Sequence, residues 1–186
     1  YVIWQEGSLS PETNINGGTV KSILEEGATV ALDSRTIQVQ AGTLNVNSGT
    51  IETNSGIAIE SYDNSNNVVI NVSGGTIKSK NKAIQISHSD GKTINAKLKI
   101  TGGTIETEHD CAINSRSLEN VIIEGGKIVS ASSTAVILHS TEAKVIVGNS
   151  GDAVRVDLPM IQGGIYSINA SNGFEFYDGI LKGATA

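Results

Sequence analysis

Cysteine, proline and aromatic rings are all scarce in this 186-residue chain, which holds 1 Cys, 2 Pro, 1 Trp, 4 Tyr and 2 Phe. A lone cysteine, Cys111, excludes an intramolecular disulfide scaffold. Long runs of Leu, Ala, Glu and Lys with helical spacing are missing too, so helix is not expected. No apolar stretch approaches the roughly 18 residues that span a bilayer, and no charged start leads into an apolar signal segment. Membrane insertion is therefore not expected. The 13 Lys and Arg are outnumbered by 19 Asp and Glu, giving a formal net charge of −6. Basic residues are interspersed with acidic ones, so the clustered cations that displace counterions from phosphates are absent, and nucleic acid is not an expected partner. The chain opens on Tyr1 instead of Met, which reads as a segment of a longer secreted or surface protein.

What the chain has in abundance is a repeated peptide. An apolar, polar, apolar triplet runs into Gly-Gly-Thr-Ile and then a charge and a hydroxyl. Copies occur at Ile15–Ser22, Val46–Thr53, Val72–Ser79, Ile100–Thr107 and Ile123–Ser130. Their second glycines fall at 18, 49, 75, 103 and 126, steps of 31, 26, 28 and 23 residues. Periods in this range mark a solenoid, in which each unit buries its apolar edge against its neighbours.

Alternation within each copy predicts a half-buried strand, with Ile15, Val46, Val72, Ile100 and Ile123 on one face and Asn16, Asn47, Ser73, Thr101 and Glu124 on the other. Beyond the glycines, Val20, Ile51, Ile77, Ile105 and Ile128 predict a second apolar column. Beside it Lys21, Glu52, Lys78 and Glu106 stack outward in alternating charge. Gly-Gly marks the corner between the two strands, where the chain must kink. Ala58-Ile59, Ala83-Ile84, Ala112-Ile113 and Ala135-Val136 supply a third strand in each coil. Thr36–Val39 and Ala28–Leu32 fit inside the long first step as extra strand, and Trp4 is expected to cover the open first rung. After residue 135 the copies around Val145, Gly164 and Gly179 crowd together, the last two glycines only 15 residues apart.

The run Val72-Ser73-Gly74-Gly75-Thr76-Ile77-Lys78-Ser79 with its following Ala83-Ile84 strand resembles repeat regions of large secreted or wall-attached proteins of Gram-positive bacteria. More broadly it resembles the right-handed parallel β-helix superfamily that includes pectate lyases. The resemblance covers residues 14–138 well and the remainder loosely. It implies an all-β, right-handed parallel β-helix over residues 1–186, a single domain with about three strands per coil and about seven coils. It implies no one activity, because that superfamily holds polysaccharide lyases, glycoside hydrolases, phage tailspikes and adhesins alike.

Catalytic signatures are thin. A hydrolase resembling the polygalacturonases would cluster Asp residues beside Gly-His-Gly and Arg-x-Lys, and neither tripeptide occurs in that form here. Glu106 and Glu108 on one strand face are spaced to act as a pair, and Asp90 and Asp110 on neighbouring loops offer a second, so Glu106, Glu108 and Asp110 are the carboxylates to suspect first if there is turnover. A calcium site would need several carboxylates, whereas Asp63-Asn64-Ser65-Asn66-Asn67 offers one. His109-Asp110-Cys111 alternates across a strand and reads as a corner with a buried thiol. An ice-binding face would need a flat Thr array, and the Thr19, Thr50, Thr76, Thr104 column is interrupted by Lys127 and flanked by charge.

Glycan binding fits best, since sugars are held by polar side chains around exposed rings. Tyr62, Asp63, Tyr166 and Tyr177 are the candidate contacts. No catalytic residue, metal site or cofactor is assigned. The expectation is a non-catalytic extracellular or cell-wall-attached bacterial module, adhesin or stalk, meeting a glycan or other host or cell-surface ligand. The alternatives are a carbohydrate-active β-helix enzyme and an ice-binding protein.

Overall fold

The computed structural model describes residues 1–7, 9–25, 34–62, 67–87, 94–151 and 157–184. All its regular structure is strand. In chain order β1 (Ile3–Gln5) forms the rung before the first full coil, which holds β2 (Glu12–Ser22) and β3 (Arg35–Val39). The next two add β4 (Gly42–Thr53) and β5 (Ile57–Ser61), then β6 (Val68–Val72), β7 (Thr76–Ser79) and β8 (Lys82–Ile86). The following two add β9 (Ala96–Thr107) with β10 (Ile113–Ser115), and β11 (Val121–Ser130) with β12 (Val136–Leu138). Short strands finish the described chain: β13 (Val145–Val147), β14 (Met160–Gly163), β15 (Ile168–Ala170), β16 (Phe174–Phe176) and β17 (Ile180–Lys182).

Each strand pairs in parallel with the equivalent strand one coil on, which defines a parallel β-solenoid. One sheet runs β1-β3-β5-β8-β10-β12-β15; the other runs β2-β4-β6-β9-β11-β13-β16, and β7, β14 and β17 continue the second halves of its long strands. Register follows the sequence columns. Val46 lies beside Val72 and Val72 beside Ile100, while Ile51, Ile77 and Ile105 succeed one another beyond the corner. These side chains are at most 1% exposed and form one continuous core. Lys21, Glu52, Lys78 and Glu106 also stack in order, with ion pairs of 3.0 Å for Lys21–Glu52 and 3.4 Å for Lys78–Glu106.

The corner glycines are fixed by stacking. Gly103 sits at φ +81°, and a Cβ there would lie 2.8 to 2.9 Å from backbone atoms of Gly74 and Gly75 one coil below. A side chain would both strain the backbone and push the coils apart.

About five turns close around the core, fewer than the seven counted from sequence. The three crowded late copies are not separate coils. β13 pairs with the first half of β11 and β14 with its second half, so the two together make one rung. β16 and β17 make another, and Gly164 follows a second strand instead of marking a corner. These last rungs are short and partly open.

Two N-terminal expectations change. Thr36–Val39 falls in β3, which takes the ordinary third-strand place of the first coil, paired with β1 and β5. The expected strand at Ala28–Leu32 lies outside the described residues. Trp4 does not cover the first rung, because it stands beside Gln38 on the outer face of its sheet, is 56% exposed and leans on Tyr1. Gln5 closes that end: its Nε2 donates to the carbonyls of Pro11, Ala41 and Thr43 at 3.1, 2.7 and 3.3 Å.

Candidate functional site

The outer column of the first sheet carries Gln38, Glu60 and Gln85 in register, one residue per coil. Strand alternation turns these side chains away from the apolar interior, yet Gln38 is 1% exposed and Glu60 fully buried. Burial there is tolerated because the carboxylate is fully engaged. Arg35 donates to it from Nε and, at 3.5 Å, from Nη2, and Gln85 Nε2 donates at 3.1 Å from the following coil. The Arg35 guanidinium also lies 5.3 Å over the ring of Tyr62, which directly follows β5.

Beside this cluster a polar cleft of about 360 Å³ opens over the corner between β7 and β8. Arg35, Gly56, Asn81, Lys82, Gln85 and Asp110 line it, together with Ile57. Lys82 pairs with Asp110 at 2.7 Å. Burial alone would raise the Asp110 carboxyl, but the Lys82 hydrogen bond and the Cys111 N–H, donating at 2.7 Å, bring it below the ordinary carboxylate value. Asp110 is thus ionised at neutral pH and unsuited to donate a proton. Cys111 is fully buried; burial first, then the Asp110 charge, pushes its thiol up to about 12. Its burial is as expected from sequence, and it stays a neutral thiol at physiological pH and a poor nucleophile.

Both cations in the cleft therefore face a carboxylate, while the Asn81 side-chain amide has no hydrogen-bond partner among the described residues. Paired charges flanking a free amide can accept and donate to hydroxyl groups without favouring an anion or a cation.

The other sequence candidates are scattered. Tyr166 precedes β15, is 62% exposed and offers its carbonyl to the Ala135 N–H at 3.0 Å. Tyr177 follows β16, is 50% exposed and donates from its hydroxyl to Glu175 at 3.0 Å, while Lys144 holds the other oxygen at 2.9 Å. β5, which Tyr62 follows, and β15 are four coil steps apart, about 19 Å along the axis, so these rings do not share one site with Tyr62. Asp63 lies outside the described residues, as does Asp90.

Glu106 and Glu108 do come together, lining a hollow of about 200 Å³ with Lys78, Thr107, Val129 and Ala131. Glu106 is held by Lys78 at 3.4 Å, and Glu108 sits 3.9 Å from His109. No group of three His, Cys, Asp or Glu side chains among the described residues is arranged to hold a metal ion. The Thr19, Thr50, Thr76 and Thr104 column is in register and runs into Lys127.

Sequence reasoning missed Arg35, Glu60, Asn81, Lys82 and Gln85. A signal was available: Arg35, Glu60, Gln85 and Asp110 fall 25 residues apart, close to the coil period. Compared with known proteins, the chain matches no family model, no curated protein and no solved structure.

Proposed function

We propose that the chain is a non-catalytic module of an extracellular or wall-attached bacterial protein, a right-handed β-helix like the repeat regions it resembles, and that it holds a neutral glycan in the cleft over β8. The observation that carries this reading is the free Asn81 amide lining one cleft with Arg35, Lys82 and Asp110, whose charges are each satisfied by an ion pair. Hydroxyl groups of a saccharide match such alternating donors and acceptors, and Tyr62 supplies an adjacent ring. The solenoid serves as a stiff scaffold that displays the cleft.

A carbohydrate-active enzyme is the second reading, and the shared hollow of Glu106 and Glu108 favours it. A glycan-array screen of the folded chain, run with assays for new reducing ends and unsaturated products, separates the two. Binding without product, weakened by Asn81→Ala, supports the adhesive module. Product formation that Glu106→Gln abolishes overturns it.

A further inference from the structure

We propose that the cleft over β8 and the hollow of Glu106 and Glu108 are two subsites for one curved, neutral glycan chain, which bends around the corner that divides them. This rests on the reading of the cleft as a saccharide site. The two depressions flank a single corner of the solenoid: Ser79 lines the hollow and Asn81 the cleft, and one coil on Glu108 lines the hollow and Asp110 the cleft. Each pair is two residues apart, a span of about 7 Å at most. Along the chain only Lys80 and His109 separate them, and both are exposed. Their backbones are laddered, the His109 N–H donating to the Lys80 carbonyl at 2.8 Å and the Glu108 N–H to the Ser79 carbonyl at 3.3 Å. The ridge between the subsites is thus a fixed backbone whose side chains extend into solvent.

At about 200 Å³ the hollow is smaller than the roughly 300 to 1,000 Å³ of a self-sufficient ligand pocket. As a second subsite it has what a sugar ring needs. Val129 and Ala131 offer apolar surface to the C–H face of the ring, and the carboxylates of Glu106 and Glu108 accept from its hydroxyl groups. Lys78, Lys82 and Arg35, the cations lining the two depressions, each face a carboxylate, on Glu106, Asp110 and Glu60 in turn. Glu108 adds a further negative charge, so a carboxylated or sulfated sugar is disfavoured.

The corner sets the shape of the chain that fits. β7 belongs to one sheet and β8 to the other, so their outer surfaces face different ways. A cellulose-type chain is a straight ribbon and can lie in one depression only, whereas amylose- and laminarin-type glucans curve and can follow the corner from one into the other. The path is oblique as well. The cleft draws on the coils from Arg35 to Asp110 and the hollow on those from Lys78 to Ala131, so the glycan climbs toward later coils as it turns.

The test is calorimetric titration of the full chain with malto-, laminari- and cello-oligosaccharides of two to six units. Maltohexaose or laminarihexaose should bind roughly tenfold or more tighter than its disaccharide, because the second subsite is reached intramolecularly, while cellohexaose should gain nothing over cellobiose. Ala131→Arg, at an exposed position whose new side chain fills the hollow, should remove that gain and leave the disaccharide unchanged. Asn81→Ala should abolish binding at every length. Should Ala131→Arg fail to fold, Glu108→Ala decides by the same comparison. Hexamers no tighter than disaccharides, a gain that survives filling the hollow, or an equal gain along the cello series overturns the proposal and leaves the saccharide reading of the cleft standing. Binding to none of the three series also overturns it, and binding to no neutral glycan of a wider array overturns the reading of the cleft itself.

Discussion

Arg35 donates from Nε and Nη2 to Glu60 one coil further on, and the carboxylate it reaches is 1% exposed at the side chain although it sits on the outward column of its sheet. This contact separates the first sheet from the ladder on the second. Lys78–Glu106 has comparable ionic chemistry with exposures of 47% and 38%.

Glu60→Ala should destabilise the fold by about 3 kcal/mol or more, because it leaves a mostly buried guanidinium without its carboxylate. Replacing Glu52, Lys78 and Glu106 together by Ala should cost only about 1 to 2 kcal/mol, since exposed pairs are worth about 0 to 1 kcal/mol each. Urea unfolding of both variants tests the contrast, and equal losses would contradict it.

Two glycines share a backbone angle but not surroundings. Gly103 and Gly173 both sit at φ +81°, and a Cβ at Gly173 would meet nothing within 4 Å. Gly173→Ala should cost about 1 to 2 kcal/mol of left-handed strain. Gly103→Ala adds a clash with the coil below and should cost at least twice as much. Thermal melts of the two variants give the comparison; equal shifts would mean that coil stacking does not constrain the corner.

Ser61 is fully buried between Val39 and Ile86, and its hydroxyl has no partner among the described residues. Ser61→Ala should therefore stabilise the protein by about 1 kcal/mol. In the same solenoid, Ile77→Asp should prevent folding, because an unpaired charge would enter a core position with no exposure. A folded, soluble Ile77→Asp protein would overturn the assignment of inward columns.

Stability should fall at both ends of the pH range. The Asp110 carboxyl is lowered in the fold, so its contribution is present above the ordinary carboxylate value and is lost as pH falls. The Cys111 thiol is raised from 9.0 to about 12, so its contribution is full below pH 9.0 and declines as pH rises from there toward 12. Asp110→Asn should flatten the acid limb, and Cys111→Ala the alkaline one. Melting temperatures across the pH range read both effects.

The apolar columns and the Lys–Glu ladder were legible in the sequence because a solenoid converts recurrence along the chain into adjacency in space. Once Gly75 and Gly103 are aligned, Ile77 and Ile105 must be neighbours. The Arg35–Glu60–Gln85 cluster was not read, because outward positions on a strand default to solvent and alternation carries no sign of what covers them. The late rungs failed for a different reason. β13 and β14 are separated by residues 148–159, which breaks the short Gly-Gly link that joins the two strand halves in the earlier coils.

The cleft over β8 is the central claim, and calorimetric titration with the strongest array glycan tests it most directly. Asn81→Ala should abolish the binding heat, while Tyr166→Ala and Tyr177→Ala should leave it within about twofold of the parent affinity. Loss of binding in the tyrosine variants with full retention in Asn81→Ala would contradict the account and move the site to the last rungs.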